Sequence, residues 1–166
     1  MENMWSPWRS QYIQSFHEKK DDKSCIFCNM ENEDPDSKNN LLVFKSKYSF
    51  VVLNLYPYNN GHLMVVPYRH ISNFSDLSDD ELLDIMQLLK LSSKGLEEIL
   101  HTEGFNIGLN MGKCAGAGID QHIHFHIVPR WNGDTNFMPV LGEVKIISQD
   151  LLEIKIKLLE FFKKNK

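Results

Sequence analysis

Cysteine is scarce in this 166-residue sequence, basic charge is not in excess, and no long apolar run occurs. Each shortfall removes a class of protein. Three cysteines are too few, and too oddly numbered, for a disulfide scaffold. With 18 Lys and Arg against 22 Asp and Glu, the formal charge is -4, which leaves no electrostatic footprint for wrapping polymeric nucleic acid. A mononucleotide or short polyphosphate needs only a local pocket and stays open. No stretch approaches the roughly 18 apolar residues of a membrane span. The amino terminus, "MENMWSPWRSQYIQ", carries neither the basic region nor the apolar core of a secretory signal. A cytoplasmic protein with neither membrane nor polymeric nucleic acid as partner is the expectation. The sequence also lacks an internal repeat, a linker and a Walker A motif, because no Gly-Lys-Ser/Thr occurs. What is present is 42% hydrophobic residues, enough to fill one core without disulfides or oligomerisation.

Residues 1–40 read as an irregular, polar segment ending in "ENEDPDSKNN". Short β-branched and aromatic runs follow at 41–46, 48–54 and 61–67, the last two separated by the turn residues Pro57, Asn59 and Asn60. They predict an antiparallel meander. From 78 to 102 the period becomes helical: Ser78 and Glu81 form a capping box, and Leu82, Ile85, Met86, Leu89, Leu96, Ile99 and Leu100 recur on one stripe. Two further strands are predicted at 104–111 and 121–129, joined by "GKCAGAGID", and a C-terminal helix at 148–166. The fold class is α+β: one domain over 1–166, an antiparallel sheet of about five strands with one long helix and a closing helix. Cys114 reads as a small filler residue.

The run "QHIHFHIVPRW" sets three of the seven histidines at every second position. Side chains on a strand alternate between faces, so Ile123, Phe125 and Ile127 point one way and His122, His124 and His126 the other, with Cα atoms about 6.5–7 Å apart. One histidine would read as structural, but three in register each need partners if buried. Such a rack can ligate a catalytic metal, with Asp120 on the same face as His122; supply a nucleophile with its acid/base partner; or form a pH-sensitive binding surface. The pair Cys25 and Cys28 in "CIFC" points to metal or redox chemistry. No strand precedes it to make a thioredoxin-like junction, and zinc needs two further ligands.

"HIHFHIV", with "LNLYPYNNGHLMVVPYRHISNF" before it, resembles the histidine triad superfamily of nucleotidyl transferases and hydrolases over roughly residues 1–140. "WSPWR" and "PRWNGDTNFMPV" look most like its dinucleoside tetraphosphate phosphorylase branch. The resemblance implies the histidine-triad fold and cleavage of a dinucleoside polyphosphate, first of all diadenosine tetraphosphate by phosphorolysis to ADP and ATP. It makes His124 the nucleophile that takes the nucleotidyl group, His126 the histidine beside the phosphate and leaving group, and His62 the histidine that orients the nucleophile. Taken alone, His62 reads equally as a structural residue opening a strand. The same resemblance matches Asn54 to a ribose contact, Asn110 to a phosphate-side asparagine and Trp131 to an aromatic near the nucleotide. As an exposed Trp after a strand, Trp131 reads equally as a packing lid. Gly118, in the loop against the phosphates, and Ile119 stand where family members commonly carry a serine, so only backbone donors are implied there.

Zinc-bearing members of the superfamily and the related uridylyltransferases imply one more site, a structural zinc held by Cys25, Cys28, His70 and His122, with no organic cofactor. A homodimer is the family's usual state. Hydrolysis of dinucleoside polyphosphates or nucleoside phosphoramidates is the alternative within the family. A metal-dependent hydrolase using the three-histidine rack, and a nucleotide-binding module without turnover, are the alternatives outside it.

Overall fold

In the computed structural model the chain is described over residues 25–135 and 149–165. The first segment of the predicted irregular region and the end of "PRWNGDTNFMPV" lie outside these residues. Five strands form one sheet, every neighbour antiparallel. β1 (Leu42–Lys45), β2 (Ser49–Leu53) and β3 (Leu63–Pro67) are the expected meander. Helix α2 (Asp79–Leu100) then carries the chain past the sheet to the edge strand β4 (Gly104–Leu109), and β5 (Phe125–Arg130) returns to fill the slot between β3 and β4. β3 and β4 are therefore parallel, a split β-α-β arrangement. Helix α3 (Leu151–Lys164) closes the described chain.

Helix α2 starts where the sequence says it should. The Ser78 side chain accepts from the Glu81 amide while the Glu81 carboxylate accepts from the Ser78 amide, satisfying two donors that would otherwise be orphaned. It ends at His101, whose left-handed φ of 51° stops the spiral. Ile85, Leu88, Leu89 and Leu96 pack with Ile154, Leu158, Phe161 and Phe162 of α3 on one face of the sheet, against Val51, Leu53, Leu63, Val65, Phe125 and Ile127. Gly95 lets the two helices close: a Cβ there would lie 2.8 Å from the Phe161 ring. Met86 departs from the predicted stripe and is exposed, because a 22-residue helix presents only part of its circumference to one sheet.

The opposite face carries a smaller cluster of Phe27, Leu42, Phe50, Val52, Met64 and Val66. Phe27 belongs to α1 (Ile26–Met30), a one-turn helix inside the segment expected to be irregular. Five residues show no readable period, which is why sequence pattern passed over it. Two more expectations are corrected. The ladder of β5 begins at Phe125 rather than 121, because the chain before it is tied back through a single bond from the Ile123 amide to the Ile71 carbonyl, 2.7 Å. Cys114 is exposed in a short turn at Lys113–Ala115, not packed as filler.

Candidate functional site

The alternation predicted for 121–129 holds across the shortened strand. His126 pairs with Met64 and Gly108, whereas Ile127 and Phe125 pair with Leu63 and Val65, so His126 shares the face of Phe27 and Met64. Neither face is open. His122, His124 and His126 are 0%, 5% and 8% exposed, and each imidazole has a different partner.

Those partners fix the tautomers. The Tyr58 amide donates to Nδ1 of His62 at 3.0 Å, and the Asn54 amide group approaches the same nitrogen at 3.3 Å. Nδ1 of His62 is thus the acceptor, and its Nε2–H donates to Nδ1 of His126 at 2.9 Å. The proton of His126 then resides on Nε2. His124 is the reverse case: its Nδ1–H donates to the His122 carbonyl at 2.9 Å, which leaves Nε2 with the lone pair. The two neighbouring rings, 4.8 Å apart and nearly perpendicular, present one basic and one protonated Nε2. Burial keeps both neutral. It lowers the pKa of His124 against the pull of the His122 carbonyl, and, with the charge of His124 second, lowers that of His126 to about 4.

His122 faces elsewhere. Its Nε2–H donates to the Pro67 carbonyl at 2.9 Å, so Nδ1 is free for a Lewis acid. Nδ1 lies 3.3 Å from Sγ of Cys25 and 3.6 Å from Sγ of Cys28, and Cys28 lies 3.3 Å from Nδ1 of His70. All four donor atoms fall within 4.8 Å of one another. A tetrahedral ion with metal–sulfur bonds near 2.3 Å and metal–nitrogen bonds near 2.0–2.1 Å spaces its donors about 3.3–3.8 Å apart. The residues fit. Burial, and then the adjacent Cys25 sulfur, push the Cys28 thiol up, so a pair of thiolates here calls for a cation between them. Among the described residues this is the one cluster of such donors; His124 and His126 are not part of it, nor is Asp120, which pairs with Lys113 at 3.8 Å. The three imidazoles therefore do not converge on one metal.

The remaining expected contacts are spread out. Asn54 turns inward: its Oδ1 accepts from the Tyr56 amide at 2.9 Å while its amide group serves His62. Asn110 directly follows Leu109, whose partner Phe125 is the last rung of the ladder, so it sits just beyond the end of β4. Gly118 is exposed, and a Cβ there would meet nothing within 4 Å, so local packing does not demand glycine at this position. Trp131 is pinned at the far end of β5, its Nε1–H donating to the His101 carbonyl at 3.1 Å. It lies five residues along the chain from His126. Sequence reasoning missed Tyr58, whose ring lies 4.6 Å from His62 and 5.6 Å from His126, and Asn59, which bonds the Pro129 carbonyl and Asp134 and so ties the "YPYNNGH" turn to the end of β5. The density of Asn, Pro and Tyr before Gly61-His62 was the only signal.

The HIT domain family matches residues 36–133, which span the sheet, α2 and the histidine strand. The chain belongs to the HIT domain family. A relative, an AP-4-A phosphorylase of Mycobacterium tuberculosis, is 38% identical over 158 residues, 93% of this chain and 81% of that protein. The adenosine 5'-monophosphoramidase of Saccharomyces cerevisiae is 32% identical over 110 residues, 66% of this chain and 64% of that protein. Among solved structures, a Zn-bound histidine triad protein from Mycobacterium smegmatis superposes with TM-score 0.67 at 24% identity, over 86% of this chain and 95% of that one. The five-stranded antiparallel sheet with its helices is thus the HIT fold the resemblance implied.

Proposed function

We propose that this HIT chain cleaves dinucleoside polyphosphates through a covalent nucleotidyl-histidine, with phosphorolysis of diadenosine tetraphosphate to ADP and ATP as its reaction. The observation that carries the reading is the His124 tautomer: Nδ1–H tied to the His122 carbonyl and Nε2 unprotonated. In the first step the Nε2 lone pair attacks the α-phosphorus. A P–N bond forms, the bridging P–O bond breaks, and its electron pair leaves with ATP. His126, with the proton on Nε2, donates a hydrogen bond to the charge that develops beside it. His62 holds that proton in place by donating to the opposite nitrogen. In the second step a phosphate oxygen attacks the same phosphorus, the P–N bond breaks and ADP departs, restoring the imidazole. Neutral imidazole suits both steps: it needs no prior deprotonation to attack, and it leaves readily.

The relationship to the phosphorylase, 38% identical over nearly the whole chain, supports the choice of substrate and acceptor. A phosphoramidate hydrolase is the second reading, favoured by the yeast monophosphoramidase relative. Product analysis decides. ADP and ATP formed only when phosphate is supplied support the phosphorylase; AMP and ATP without it assign a hydrolase. Substrate labelled in the α-phosphate leaves an acid-labile, alkali-stable label on the protein if the covalent step occurs, and none if the chain only binds nucleotide.

Cys25, Cys28, His70 and His122 would hold one structural zinc, closed to substrate, that pins α1 to the sheet. No step of the reaction passes through it, so turnover of the folded chain survives chelation, which a metal-dependent hydrolase would not. Thiolate ligation suits a reducing, cytoplasmic setting. A homodimer is proposed on family grounds. The edge strand β4 and helix α2 support it, since they expose Ile107 and both Leu83 and Met86, and sedimentation of the intact chain tests it.

A further inference from the structure

We infer that Phe27, between the two cysteines of "CIFC", is a positioning residue for the His124 imidazole. The inference rests on His124 being the nucleophile. In the one-turn helix α1, Ile26 is 44% exposed and Phe27 only 1%, so the motif turns a single aromatic ring inward. That ring lies 5.1 Å from the ring of His124, inclined at 48°, and 5.5 Å from His122, nearly edge-on at 75°. It packs at the same time on Leu42, Phe50, Val52, Met64 and Val66 of the sheet.

The need for such a wall follows from the bonding of His124. One hydrogen bond, Nδ1–H to the His122 carbonyl, orients the ring, and one bond leaves a pivot. The terminal torsion of histidine is broad and roughly two-fold. A half-turn about it exchanges Nε2 with a carbon, takes the lone pair away from phosphorus, and removes Nδ1–H from the His122 carbonyl that fixes the tautomer. His126 limits the ring on one side, 4.8 Å away and at 77°, and Phe27 stands against it from the other element. A nucleophile misplaced by about 1 Å loses on the order of a hundredfold in rate. α1 is too short to hold itself, so its place depends on the burial of Phe27 and on Cys25 and Cys28 beside His122. The cysteine pair and the nucleophile are thus joined mechanically through one phenyl ring.

The test uses the whole chain carrying Phe27→Ala and Phe27→Leu. Steady-state kinetics on diadenosine tetraphosphate are measured beside metal content and long-range 1H–15N spectra of the 15N-labelled histidines. The expected result is a 10- to 100-fold fall in kcat for Phe27→Ala with KM within about twofold, unchanged metal content, and His124 resonances averaged between tautomers. Phe27→Leu, which keeps bulk without the flat ring, recovers part of both. Unchanged kcat, or a His124 spectrum that stays that of a single Nδ1–H tautomer, overturns the inference. If Phe27→Ala does not fold, Phe27→Leu decides on the same criteria. The spectrum does not depend on turnover, so it judges Phe27 even if the intact chain proves inactive on this substrate, whereas full turnover by His124→Ala would sink the function instead.

Discussion

His62 accepts two N–H groups on one ring nitrogen and donates from the other, and this asymmetry sets the protonation of the residue it touches. Removing it leaves His126 free to take either tautomer. His62→Ala is therefore expected to lower kcat by about 10- to 100-fold, as loss of an orienting partner does, without preventing labelling of His124. Single-turnover kinetics separate the two effects. His124→Ala should abolish both the label and the turnover, a loss of at least about a thousandfold. Asn54 makes a finer distinction. If its side chain serves His62 rather than a ribose, Asn54→Ala lowers kcat more than it raises KM, and the reverse split would return it to the nucleotide.

Among the elements, the loop into β3 is under the tightest control. Gly61 has φ of 71°, and a Cβ there would lie 2.5 Å from Cδ1 of Leu100, at the end of α2. Gly61→Ala is expected to cost about 1–2 kcal/mol from the left-handed backbone alone, read as a lower melting temperature, and to disturb His62 next to it. Helix α2 was legible in the sequence because a capping box and a long apolar stripe agree with each other. The start of β5 was not legible, since the alternation of histidine and apolar residues already runs through His122 and Ile123, which are buried although they lie outside the ladder. The triad itself could be read residue by residue from its two-residue period. The convergence of Cys25 and Cys28 on His70 and His122 could not, because spacing along a chain does not say which distant segments meet; only the likeness to a family suggested it. For Trp131 the likeness matched a motif, and the structure adds only that its indole N–H donates to the His101 carbonyl.

For the whole molecule, buried neutral histidines and a buried carboxylate set the response to acid. Burial, with the charge of His124 second, holds His126 near 4 against an ordinary 6.5, so the unfolded chain takes up its proton first. Stability is full above about pH 6.5 and declines as pH falls toward 4, by up to roughly 3 kcal/mol from this group. A second decline lies lower. The Arg69 guanidinium, bonded to Glu81 at 2.6 Å, brings that carboxyl to about 2 from 4.5, so its contribution is lost as pH falls from 4.5 through 2. Urea midpoints measured across pH should show both, and His126→Gln should shrink the upper phase while sparing the lower. Loss of the metal acts at the same scale. If the four donors hold zinc as proposed, Cys25→Ser is expected to lower metal content and the melting temperature, while the fraction that remains folded keeps its chemistry.

β5 is inserted between strands that precede it in the chain. A growing polypeptide therefore exposes β3 and β4 with an unfilled lane between them until residues beyond 130 have left the ribosome. Translation products that stop short of β5 hold His62 without His124, so on the proposed mechanism cleavage of nucleotides waits until the middle of the sheet is closed.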